Sequence, residues 1–262
     1  MISERQRREF AARGVIRVDR LIPDATVAPV RELVLKALEA EGTDGALASR
    51  RVRKLTRHTN GLAVFKELVT PGVREAIAAL VDGQSVSALP NRPQLLFTPP
   101  NASSWVVPHK VWHLDVPRLG EVGLPGVQIF TFVDSVPPGA GATLVVAGSH
   151  RLLNDRGRIR SKDVKARLKH EPYFRALLSP SGGDRRHFLD EPGHVGDVEL
   201  QVVELCGEPG DVYLTDLRLL HTLAPNTSSS PRLMMTQRFF VQATLGQIMG
   251  LDPDLADAPA PA

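Results

Sequence analysis

The chain has a single cysteine, Cys206, among its 262 residues. A lone thiol excludes an internal disulfide and a thiolate zinc cage within one chain, so a metal would have to be held by His, Asp or Glu. Uninterrupted apolar runs are also missing: none approaches the roughly 18 residues that a membrane span needs. The opening MISERQRREF is too charged for a secretory signal, and a cytoplasmic protein is expected. Nor is there a strong excess of one charge, since 32 basic and 29 acidic residues leave a formal +3. That surplus, without a continuous basic and aromatic surface, argues against nucleic acid as a partner. The densest basic run, RRVRK, with Arg57 and His58 close behind, reads as a solvated face. No internal repeat is found.

What is present is an ordinary globular composition, 42% hydrophobic and 23% charged, on a chain long enough to bury one large core. A single domain is expected over residues 1–250, followed by a flexible tail at 251–262. Residues 1–90 read mostly as a helical support layer. Ser3 with Gln6 fits a capping box for a short helix ending near Gly14, and VIRV then alternates as a half-buried strand does. Apolar Val30, Val34, Leu35 and Leu38 predict a helix from about Thr26 to Glu41, stopped by Gly42. Thr70, Pro71 and Gly83 bracket another.

From 91 to 245 the pattern changes to short apolar runs separated by Gly and Pro: QLLFT, VWHLDV, GVQIFTFVDS, ATLVVAG, VELQVVELC, DVYLTD and LMMTQRFFVQ. Such runs without intervening amphipathic helices predict a mainly β sandwich or jelly roll. Residues 151–199 interrupt them with a polar, Arg-rich insertion holding one candidate helix, DVKARLK, and then a long Gly/Pro-punctuated loop. A loop of that length is expected to be disordered or to act as a lid.

Within VWHLDV, His113 and Asp115 are two residues apart, so on a strand both side chains leave the same face with Cα atoms roughly 7 Å apart. His221, late in the β region after a Gly-Asp turn, can return to the same rim. Two imidazoles and one carboxylate on one side of an ion leave the opposite side open, the arrangement of non-haem Fe(II) oxygenases. Arg232 follows eleven positions later among Leu, Met and Phe. A guanidinium in such surroundings is costly unless an anion meets it, and a carboxylate is its best geometric partner.

These residues, in this order, resemble the phytanoyl-CoA dioxygenase-like branch of the Fe(II)/2-oxoglutarate oxygenases. The likeness covers most of the chain: the opening helix, the strand after Gly14, QLLFTPP, WHLD, GAGATLVVAGSH, and His221 with Arg232. It implies a cupin-like double-stranded β-helix in which His113, Asp115 and His221 bind Fe(II) and Arg232 holds the distal carboxylate of 2-oxoglutarate. Gln94 would flank that co-substrate, and Thr131 or Phe130 would line its pocket. The implied reaction consumes 2-oxoglutarate and O2, releases succinate and CO2, and hydroxylates an unactivated C–H bond of a small organic molecule. Three positions depart from the family pattern. Leu223 stands where many relatives carry a small hydroxyl residue, a loss that Thr222 could make good; Gly-Ala replaces the Asn-Gly turn; Ala147 replaces a proline. Asp115 is retained, which favours hydroxylation or desaturation over halogenation.

Other readings were weighed on the same residues. A cupin-like metalloenzyme without 2-oxoglutarate would give Arg232 no role, and a binding protein on a retired scaffold would have no reason to keep all three ligands. His109 and His113 lie roughly 13 Å apart in an extended chain and do not form a helical pair. His150 reads as a loop-structuring residue, and His170, His187 and His194 as solvent-facing. Trp105 and Trp112 read as packing, and Cys206 as a small core filler. Arginines 156, 158, 160, 185 and 186 could meet an anionic substrate, as could Arg118 and Arg238.

Overall fold

The structure, a computed structural model, describes residues 2–41, 64–88, 93–120, 123–154, 157–180 and 184–250. The RRVRK run, the Gly42 stop, Arg156 and the tail at 251–262 lie outside the described residues.

Helix α1 (Glu4–Arg13) opens with the expected capping box, in which Ser3 Oγ accepts from the Gln6 amide and the Gln6 side chain accepts from the Ser3 amide. It closes at Gly14, whose φ of 71° is the left-handed conformation that a helix C-terminus favours. α2 (Asp24–Glu41) starts two residues before the expected Thr26, with Asp24 in its first turn, where a carboxylate meets the positive end of the helix. α3 (Val64–Glu67) precedes α4 (Pro71–Leu80), capped by Thr70 Oγ1 on the Val73 amide with Pro71 in the first turn.

The strands are β1 (Val15–Val18), β2 (Val86–Ser87), β3 (Gln94–Thr98), β4 (Gly126–Phe132), β5 (Thr143–Ala147), β6 (Gly193–Val195), β7 (Val198–Glu204), β8 (Val212–Asp216), β9 (His221–Leu223) and β10 (Arg232–Val241). They form two antiparallel sheets. One runs β1-β8-β4-β10-β2, with β3 also on β10; the other runs β6-β7-β5-β9. This is the jelly roll expected from the sequence.

Alternation along the strands sorts the layers. Leu233, Met235, Phe239 and Val241 of β10 join Val127 and Ile129 of β4 in a cluster with Phe10, Val30 and Ile77, so the N-terminal helices cover the outer face of the first sheet. The alternate residues Met234 and Phe130 instead meet Val145 and Ala147 of β5, which is the interior between the sheets.

The outer face of the second sheet is covered as well, and here the structure departs from expectation. Residues 151–199 are not one long loop: they contain α5 (Ser161–Leu168), α6 (Pro172–Leu177) and α7 (His187–Asp190), as well as β6. Val164, Leu168, Phe174, Leu177 and Phe188 from these helices pack on Leu144, Val146, Leu200 and Val202. The apolar residues recur at helical spacing between charged ones, so average polarity concealed two buried faces. Each such large side chain contributes about 1.5–3 kcal/mol on burial, enough to hold helices too short to stand alone. One last helix, α8 (Leu245–Met249), closes the described chain. Among the described residues, no helix is long and apolar enough to cross a membrane.

Candidate metal centre

The segment carrying His113 and Asp115 was expected to be a full strand. It is an extended stretch with a single bridge, between His113 and His221. The two-faced geometry nevertheless holds, because Trp112 and Leu114 are buried with Val107 in the outer cluster, which turns His113 and Asp115 the other way. The His113 amide donates to His221 O at 2.9 Å and the His221 amide to His113 O at 3.0 Å. That reciprocal pair draws the two imidazoles together, with ring centroids 4.2 Å apart. Asp115 Oδ2 lies 3.5 Å from His221 Nε2 and Oδ1 lies 3.9 Å from His113 Nε2. All three ligand atoms fall within 4.8 Å of one another.

Both imidazoles are oriented in the same way. Nδ1 of His113 is 3.1 Å from Val111 O, and Nδ1 of His221 is 3.0 Å from Leu219 O. A carbonyl only accepts, so each Nδ1 carries the proton and each Nε2 presents its lone pair. Burial pushes the His221 pKa down, against the opposing pull of Asp115, and keeps the ring in the neutral form that binds metal.

The insertion braces this segment from outside. Lys165 Nζ donates to Trp112 O at 2.7 Å, Ser161 Oγ to Val116 O at 3.1 Å and Arg185 Nε to Val107 O at 2.7 Å. Arg118 pairs with Ile159 through both backbone bonds, and its fully buried guanidinium donates to Leu152 O, Arg218 O and Ser149 O. Arg118 and Arg185 were open candidates for meeting a substrate anion; both are spent on backbone carbonyls. Arg160 pairs with Asp163, Arg158 Nε donates to Gln247 O, and Arg186 lies over the Trp105 ring. None of the described residues of 151–199 lines the cavity beside the triad.

That cavity has a volume of about 190 Å3 and is lined in part by His113, His221, Gln94, Thr222, Arg232 and Arg238. Arg232 is 4% exposed. Its Nη1 donates to Thr143 Oγ1 at 3.2 Å, whereas its Nε has no hydrogen-bond partner. Burial alone pushes its pKa down to about 9. A buried guanidinium with an unspent donor fits an incoming carboxylate. The Thr222 hydroxyl is buried and unpaired at the same cavity.

Thr131 is not brought to this site. Its position on β4 has the parity of Val127 and Ile129, which face the helical layer, and Phe130 is the residue that lines the cavity. Counting alternation from the buried neighbours would have separated the two. His150 is buried beneath α1, with Nε2 3.1 Å from Ala11 O, and His170, His187 and His194 are exposed, as expected. Sequence reading left Arg238 unassigned; the structure places it on Asp115, with Nε 2.8 Å from Oδ2.

The family model for phytanoyl-CoA dioxygenase (PhyH) matches residues 10–234. The chain belongs to the PhyH family. With that membership, it is an enzyme of the Fe/2-oxoglutarate-dependent oxygenases, a family acting on small molecules. The donor set fits the metal: two imidazoles and a carboxylate, with no fourth His, Cys, Asp or Glu in the group among the described residues. The open guanidinium fits the co-substrate.

Solved structures agree on the fold. The chain is 17% identical to the non-heme alpha ketoglutarate dependent carbocyclase SnoK from nogalamycin biosynthesis, covering 99% of this chain and 94% of that one at a TM-score of 0.58. AviO1 from Streptomyces viridochromogenes Tue57 is 19% identical over 100% and 99% of the two chains, with a TM-score of 0.57. EctD from S. alaskensis, solved with 2-oxoglutarate and 5-hydroxyectoine, is 18% identical over 92% and 77%, with a TM-score of 0.53. No curated protein matches the chain in sequence.

Proposed function

We propose that this PhyH protein hydroxylates an unactivated C–H bond of a small organic molecule, with His113, Asp115 and His221 as the iron ligands and Arg232 as the anchor of 2-oxoglutarate. The observation that carries the reading is the pairing of an N,N,O ligand set with the unpartnered Nε of buried Arg232 at one cavity. Bound Fe(II), with 2-oxoglutarate and O2, supplies an oxidant strong enough for an aliphatic C–H while the keto acid is split to succinate and CO2.

The chain's own residues contribute binding, orientation and exclusion. The two carbonyls on Nδ1 fix both imidazoles, so a ligand exchange elsewhere at the ion does not reorient them. Arg232, already desolvated, loses little further solvation when a carboxylate reaches it and gains a charge-assisted bond. Gln94 and the Thr222 hydroxyl are placed to hydrogen-bond the rest of the keto acid, Thr222 doing what Leu223 cannot. Retention of Asp115 supports hydroxylation over halogenation.

The test is anaerobic addition of Fe(II) and 2-oxoglutarate, followed by O2 with candidate substrates. A metal-to-ligand charge-transfer band, then succinate matched by a product heavier by one oxygen, is the expected result. Succinate with a product lighter by two hydrogens would replace hydroxylation by ring closure or desaturation. Arg232→Ala should weaken 2-oxoglutarate binding about 100-fold or more, the scale of a lost buried charge-assisted bond, while metal uptake persists. Unchanged 2-oxoglutarate affinity in that variant would remove Arg232 from the site.

A further inference from the structure

Arg238 lies six residues beyond Arg232 on β10, an even spacing that keeps both on the interior face. Its Nε and Nη2 both reach the same oxygen of Asp115, Oδ2, at 2.8 and 2.6 Å. The pair is sheltered, with side chains 20% and 12% exposed, so it is not one of the solvent-screened surface pairs that contribute little. The other oxygen, Oδ1, has no hydrogen-bond partner among the described residues and is the one that faces His113 Nε2.

We propose that Arg238 is a positioning residue for the metal, locking Asp115 as a one-oxygen ligand by occupying Oδ2 and leaving Oδ1 to the ion. The inference rests on the metal-centre reading above. A carboxylate free to rotate can bind an ion through both oxygens and so take a position that a chelating keto acid needs. Two N–H groups converging on Oδ2 oppose that rotation, and they saturate the oxygen that would complete the chelate. A guanidinium does this with a planar fork; an ammonium has the charge without the fork.

The experiment uses Co(II) as probe on the full chain, with Arg238→Gln and Arg238→Lys beside the parent, and reads affinity and the visible absorption bands of the bound ion. Arg238→Gln should bind Co(II) about 10–100-fold more weakly, the range for losing an outer partner of a ligand, and its bands should move as the carboxylate changes its mode. Arg238→Lys should restore affinity in part and the band position less. On an Asp115→Asn background, Arg238→Gln should change neither reading further.

Affinity within about threefold of the parent, short of any outer-partner effect, together with unmoved bands would overturn the proposal. So would unfolding of both variants, which would make Arg238 a folding residue. A parent chain that takes up no Co(II) would instead sink the metal-centre reading beneath it, so the two failures are distinguishable.

Discussion

Val111 holds a β-branched side chain at φ 64°, with 76% of its surface exposed. Backbone of that kind costs about 1–3 kcal/mol and persists where something else is gained. Here the gain is visible: the turn delivers the Val111 carbonyl to Nδ1 of His113. Val111→Gly relieves the strain at an entropic cost of about 0.5–1 kcal/mol in the unfolded chain. Because the exposed side chain contributes little burial, the variant should be more stable by about 1 kcal/mol. Its Co(II) affinity should fall, since glycine no longer holds that carbonyl on the ring. A urea midpoint below the parent's would refute the strain. At this scale the sequence showed which residue types could ligate, because His113, Asp115, His221 and Arg232 are costly or unusual where they stand. It did not show partners: Arg232 and Arg238 share one strand and one face, and only coordinates reveal that one has an unspent donor while the other grips a ligand.

The short elements were legible where their own residues stabilise them and opaque where the tertiary structure does. Ser3 with Gln6 and Thr70 with Pro71 satisfy helix ends locally, so the boundaries of α1 and α4 followed from the chain. β9 is three residues long, and α5 to α7 depend on the sheet beneath them, so neither had a local signature. His150 belongs to this scale. It packs so tightly under α1 that a Cβ on Gly14 would come within 2.5 Å of its Nδ1. Burial pushes its pKa down from the ordinary value of 6.5, with Asp216 pulling the other way. The unfolded chain therefore takes up the proton first. Stability that is intact above pH 6.5 is lost as pH falls from 6.5 toward the depressed folded value. His150→Leu should be less stable than the parent at neutral pH, through the lost bond to Ala11 O, yet lose less further stability on acidification. Parallel pH profiles of unfolding free energy for the two chains would show that this ring does not titrate on unfolding.

At the scale of the whole molecule, the jelly roll was legible because alternation and turn residues repeat along seven runs, whereas the role of the insertion was not. Its polarity suggested a cover for the site. Instead it lies on the outer face of the second sheet and holds the segment from 107 to 118 against it, through Lys165, Ser161, Ile159 and Arg185. That segment has one bridge to β9 and supplies two of the three ligands, so its order depends on this outer support. Lys165→Met keeps the apolar stem and removes only the bond to Trp112 O, a loss of about 1 kcal/mol. The effect should be local. The His113 and Arg118 amides, bonded to His221 O and Ile159 O, should exchange hydrogen faster, while amides of β10, held on both sides by β3 and β4, keep the parent's rates. Metal affinity should drop although residue 165 does not line the cavity. If exchange at 113 and 118 were unchanged, the sheet alone would suffice to hold the ligands and the insertion would be a passenger on its outer face.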